Sequence, residues 1–152
     1  MMNTTFEEEL AGSGKLLYTN VGVSMLPLLR EGRDVMVIER AAEYRVLDAV
    51  LFRRPGVTGR GAYVLHRILR DNGDGTFWIV GDNCTSGETV AREDILGVLT
   101  GVQRGGKLVR VSDPAYRAYV RLWCAPYPLR FAVLRAVHFA RRVGSWCKRH
   151  VF

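Results

Sequence analysis

From residue 15 to residue 112 the chain is a succession of short apolar segments broken by glycine-bearing turns, and this rhythm limits the fold more than any other feature. The segments are too short for ordinary buried helices, and several are rich in the β-branched residues that suit a pleated surface. Leu16 to Val21, Val35 to Ile38, Val46 to Arg53, Ala62 to Arg70, Thr76 to Val80, Ile95 to Val102 and Leu108 to Val111 read as strands. Asn72-Gly73-Asp74-Gly75 and Gly105-Gly106 read as hairpin turns, because their residues accept the positive φ that such turns need. Ser24 to Arg30 reads as a turn around Pro27. Residues 15–112 are therefore expected to form one mainly β domain, a coiled antiparallel sheet or a small barrel.

Ahead of this domain, residues 1–14 read as a short helix, capped by Asn3 or Thr4, reaching Leu10 and ended by Gly12 and Gly14. Behind it, Asp113-Pro114 marks a change of regime. Residues 113–152 have helical periodicity, interrupted at Pro126-Tyr127-Pro128. The charge changes at the same place. Residues 1–114 hold 14 Lys/Arg against 15 Asp/Glu, whereas the rest holds eight Lys/Arg and no carboxylate. A neutral body with a cationic tail calls for an anionic partner, either lipid head groups or nucleic acid.

After Pro128 the residues Leu129, Val133, Ala136, Val137, Ala140 and Val143 keep helical spacing, with Trp146 as a further bulky group. At 100° per residue Arg130, Arg135, Arg141, Arg142, Lys148 and Arg149 fall within one arc of about 140°. Such an amphipathic helix over residues 128–152 suits an anionic membrane interface. The alternative is that its apolar stripe packs on the β domain and leaves the arginines in water. No nucleic-acid-binding fold accompanies the tail, which weighs against RNA or DNA.

Three cysteines, Cys84, Cys124 and Cys147, show no paired or metal-ligand spacing and read as reduced thiols, as in a cytoplasmic chain. No cofactor or metal is expected. Glu7-Glu8-Glu9 stands where a secretory signal needs a cationic region and an apolar run, and no stretch is apolar enough to span a bilayer.

Three motifs carry chemistry. Gly22-Val23-Ser24-Met25-Leu26-Pro27 sets a serine on a tight turn at a strand end, where a hydroxyl and nearby backbone amides meet an incoming carbonyl. Tyr63-Val64-Leu65-His66-Arg67-Ile68 places one histidine in an apolar strand, with Val64, His66 and Ile68 on one face and Tyr63, Leu65 and Arg67 on the other. That histidine is either a satisfied group at the edge of a core or a general base. Gly81-Asp82-Asn83, followed by Glu88, supplies two carboxylates, either of which can orient the imidazole.

In order and spacing these motifs, with Gly32-Arg33-Asp34 between the first two, resemble the signal peptidase I superfamily over about residues 16–104. The likeness is to its Ser–His branch, and within that to small stand-alone bacterial members. The resemblance implies a LexA/signal peptidase-like fold with Ser24 as nucleophile, His66 as base, and Asp82 and Glu88 as acids. Gly22 and Met25 would support the oxyanion. A lysine dyad is excluded, since no lysine lies between Lys15 and Lys107. The chain departs from the family at Gly22, where a donating serine often stands, at Glu88, where an aspartate is usual, and in lacking an N-terminal membrane anchor.

The expected function is a serine endopeptidase that cleaves a peptide or leader segment at the cytoplasmic face of the membrane. The alternative is an inactive pseudo-peptidase that binds extended peptides. A self-cleaving regulator is disfavoured, because no helix-turn-helix precedes residue 16.

Overall fold

A computed structural model describes residues 5–19 and 21–150, the side chains of residues 60 and 146–150 lying outside the described set. Helix α1 (Phe6–Ser13) opens with a capping box in which Thr5 Oγ1 accepts from the Glu8 amide and Glu8 returns a carboxylate to the Thr5 amide. Thr5, not Asn3 or Thr4, is therefore the cap. Gly12 lies inside the helix, and Gly14 alone ends it, in the left-handed conformation (φ 72°) that only glycine adopts freely.

Among the described residues eight strands follow: β1 (Lys15–Thr19), β2 (Asp34–Glu39), β3 (Ala49–Arg53), β4 (Tyr63–Asp71), β5 (Thr76–Val80), β6 (Gly87–Ala91), β7 (Ile95–Arg104) and β8 (Lys107–Arg110). They form one antiparallel sheet in the order β1-β2-β7-β3-β4-β5-β6, with β8 paired to β7. The sheet is open, with β1 and β6 at its ends, so the small-barrel expectation is corrected to an open sheet. Strand β6 was not among the strands expected from the sequence. Only Val90 of its five residues is buried, so it carries almost no apolar signal. The strand expected to begin at Val46 begins at Ala49, because Leu47 takes a positive φ of 80° and breaks the extended run.

Alternation along the central strands splits the core in two. Leu16, Met36, Ile38, Leu51, Leu65 and Leu99 meet on one face together with Met25 and Leu29 of the turn after β1. Val50, Phe52, Ile68, Phe77, Ile79 and Val90 meet on the other. The sheet lies between the two clusters, and each cluster removes several large side chains from water at about 1.5–3 kcal/mol apiece.

Beyond β8, Asp113 and Pro114 start α2 (Pro114–Tyr119), which runs into a π-helical segment (Val120–Cys124) and then α3 (Tyr127–His150). The junction is held by a buried ionic cluster. Arg67 grips both oxygens of Asp82 (2.8 and 2.7 Å), Tyr119 donates to the same carboxylate at 2.8 Å, and Arg130 reaches it at 3.3 Å. Asp82, Arg67 and Arg130 are all essentially inaccessible to water. The sequence placed Arg130 on the cationic face of the helix, at a membrane surface or in water; its side chain is instead buried. No described helix is long and apolar enough to cross a membrane.

Candidate active site

Ser24 sits on the turn that leaves β1, and the residues after it explain its position. Met25 and Leu29 are fully buried in the first core cluster, so they pin the turn from beneath while Ser24 stays half-buried above. Asp34 closes the other end of this loop, accepting from the Arg30 amide and from Arg104. The Gly81-Asp82-Asn83 segment then braces the turn from the side. Asn83 donates its amide to the Ser24 carbonyl at 2.8 Å and its side-chain Nδ2 to the Val23 carbonyl at 3.1 Å.

Gly81 is the point where the two motifs touch. A Cβ placed there would lie 2.7 Å from the Ser24 carbonyl oxygen, 2.9 Å from Cys84 Sγ and 3.1 Å from His66 Nε2. Only a residue without a side chain lets the imidazole and the serine turn approach so closely. Ser24 and His66 both line one cleft of about 450 Å³, with Tyr18, Val21, Arg54 and Cys84 among its other walls. Among the described residues no hydrogen bond joins the Ser24 hydroxyl to His66.

His66 is 8 % exposed and shares its face of β4 with Val64 and Ile68. Its Nε2 is directed at Gly81 and the serine turn, and its Nδ1 lies 3.7 Å from Glu88 Oε1. The register explains why Glu88 is the acid on this side. Ile68 pairs with Ile79, and Ile79 with Glu88, so all three project to the face that carries His66. Arg67 points the other way and takes Asp82 with it. Of the two carboxylates the sequence offered, Asp82 is therefore bound within the structural cluster, and Glu88 approaches the imidazole.

Arg54, which the sequence gave no reason to single out, holds Glu88 by two hydrogen bonds of 2.9 and 2.6 Å. These bonds keep the Glu88 carboxyl below its ordinary pKa. Burial lowers the His66 pKa to about 4, with the Arg54 charge adding to that effect and the Glu88 and Asp82 charges opposing it. The imidazole is thus neutral at physiological pH, and its contact with Glu88 is not an ion pair. Nδ1 has no hydrogen-bond partner among the described residues.

The expected oxyanion support is corrected in part. The Gly22 amide donates to Glu31 Oε1 at 2.9 Å, which engages it away from an oxyanion. The Met25 side chain is a buried anchor whose sulfur receives the Asp82 amide at 3.5 Å. The Met25 amide, by contrast, makes no hydrogen bond among the described residues and adjoins the serine.

The cleft is bordered by β1 and by Tyr63 to Leu65 of β4. Among the described residues β1 pairs only with β2, and residues 63–66 of β4 pair only with β3, since pairing to β5 begins at Arg67. Each stretch therefore keeps one unpaired edge. A second groove of about 730 Å³, walled by Arg45, Thr100, Tyr116, Arg117 and Arg121, contains neither Ser24 nor His66. No cluster of three His, Cys, Asp or Glu among the described residues has the arrangement to hold a metal ion.

No protein-family model, curated protein or solved structure matches the chain.

Proposed function

We propose that this protein is a serine endopeptidase similar to signal peptidase I, with Ser24 as nucleophile, His66 as general base and Glu88 as the orienting acid, on a LexA/signal peptidase-like sheet. The observation that carries the reading is the two-sided placement of one imidazole, with Nε2 toward the serine turn and Nδ1 toward a carboxylate. A Ser-His-acid triad requires that polarity of the ring.

In this mechanism the Ser24 hydroxyl attacks the scissile carbonyl while His66 Nε2 takes its proton. The tetrahedral oxyanion forms against the Met25 amide. Glu88 steadies the imidazolium that results, and His66 returns the proton to the leaving amine. Water, deprotonated by the same nitrogen, then releases the acyl group from Ser24. A peptide would lie extended in the cleft, where the unpaired edges of β1 and β4 offer backbone hydrogen bonds.

The test is cleavage of Ala-x-Ala-type peptides, and of proteins in a cell lysate, by wild type, Ser24→Ala and His66→Ala. Loss of product in both variants supports the reading, and wild-type cleavage by either removes it. One observation favours a second reading, a binding protein that grips extended peptides without cutting them. Arg54 occupies both Glu88 oxygens, and the 3.7 Å to Nδ1 exceeds a hydrogen bond. Tight peptide binding with no product from wild type would select it.

A further inference from the structure

Helix α3 turns its apolar face away from the body. Among the described side chains of the helix Arg130 and Leu134 are buried, while Leu129 is 65 % exposed, Phe139 70 % and Val143 44 %. At 100° per residue Leu129, Val133, Ala136, Val137, Phe139 and Val143 fall in an arc of about 160° in which every described side chain is apolar. Arg135 and Arg141 flank this arc, one on each side and each about 40° beyond its border. The sequence allowed the stripe to pack on the sheet. The structure instead fastens the helix to the body through side chains outside this arc: Arg130 bonds Asp82, Leu134 is buried, and the Phe131 ring lies 6.2 Å from that of Trp78.

An uncharged helical face bordered by cations, in a segment with eight basic residues and no carboxylate, is complementary to one kind of surface. Nucleic acid would engage the arginines and leave the apolar face in water. A second copy, docked face to face, would set arginines against arginines. An anionic bilayer takes both features, apolar groups at the acyl boundary and guanidinium groups among the phosphates.

We propose that α3 is an interfacial membrane anchor, its Leu129–Val143 face sunk into an anionic phospholipid surface with Arg135 and Arg141 at the head groups. This does not depend on the peptidase reading. It does fix the attitude of the cleft, because Arg130 of the anchor holds Asp82 and the next residue, Asn83, holds the Ser24 carbonyl.

The test is flotation of the full chain with vesicles of phosphatidylcholine alone and with about one third phosphatidylglycerol, at low and high salt. Wild type should float with the anionic vesicles and lose most of that binding at high salt. Leu129→Asp with Val137→Asp should bind at least about tenfold more weakly, and Arg135→Glu with Arg141→Glu should lose the preference for anionic lipid. Both pairs are exposed, and unchanged circular dichroism checks their folding. Light scattering without lipid should give a monomer. Binding that is indifferent to lipid charge and to both variant pairs overturns the proposal. So does a dimer that the aspartate pair dissociates while vesicles capture nothing.

Discussion

Arg54 donates to both oxygens of Glu88, at 2.9 and 2.6 Å, and the same Glu88 Oε1 stands 3.7 Å from His66 Nδ1. One carboxylate thus lies between a permanent cation and a titratable ring. Because the guanidinium takes both oxygens, it controls how much of the carboxylate reaches the imidazole. Replacing Arg54 with Gln should release Glu88 toward Nδ1 and raise the His66 pKa above its value of about 4. Glu88→Gln should lower it further and reduce kcat by roughly 10²–10⁴-fold, with unfolding little changed. Titration of the His66 ring signals by NMR, beside the acidic limb of the rate profile, reads both shifts. An unmoved pKa in both variants would show that Glu88 does not act on the ring.

The depressed His66 pKa has a consequence for stability. The group binds a proton near pH 6.5 when unfolded and near pH 4 when folded, so between those values the unfolded chain holds more protons. Its stabilising contribution is complete above about pH 6.5 and declines as the pH falls toward 4, by up to about 3 kcal/mol. Urea unfolding of wild type and His66→Gln across this window should show the wild-type slope flattened in the variant.

Gly81→Ala should separate the imidazole from the serine turn. The added methyl would lie within 3.1 Å of the Ser24 carbonyl, Cys84 Sγ and His66 Nε2 at once. A loss of roughly 1–3 kcal/mol of stability is expected, from overpacking against backbone that cannot withdraw. Activity should fall by more than the unfolded fraction explains, which a comparison of specific activity with the denaturation midpoint would reveal. A variant as stable and active as wild type would remove Gly81 from the site.

Asp82 and Glu88 should fail in different ways. Asp82→Asn leaves Arg67 and Arg130 buried with their carboxylate partner neutralised, and should cost roughly 3–5 kcal/mol. Proteolysis should then release the helical segment after residue 113 at a protease concentration that spares wild type. Glu88→Gln should leave that resistance intact. Equal resistance of Asp82→Asn and wild type would deny the cluster its holding role.

Much of this is legible in the amino-acid sequence. Glycine and β-branched residues set the strands and hairpins, because turn geometry and pleated packing act over a few neighbouring residues. Alternation along Tyr63 to Ile68 already put His66 and Arg67 on opposite faces, and the serine turn was evident from Gly22 and Pro27. Strand β6 was hidden, since an edge strand with one buried side chain has almost no pattern to read. Arg54 was hidden too, because its partner lies 34 residues away and nothing local marks either member.

Local chain chemistry sets the alternation of faces, the turns and the excess of positive charge after residue 114. These follow from the chirality and period of the chain, which each residue carries with it. Tertiary structure alone decided that Asp82 belongs to Arg67 and Arg130 while Glu88 approaches His66, and that α3 buries Arg130 and leaves Leu129 in solvent. Those choices depend on strand register and on competition among distant charges for one buried carboxylate, and no local pattern records them.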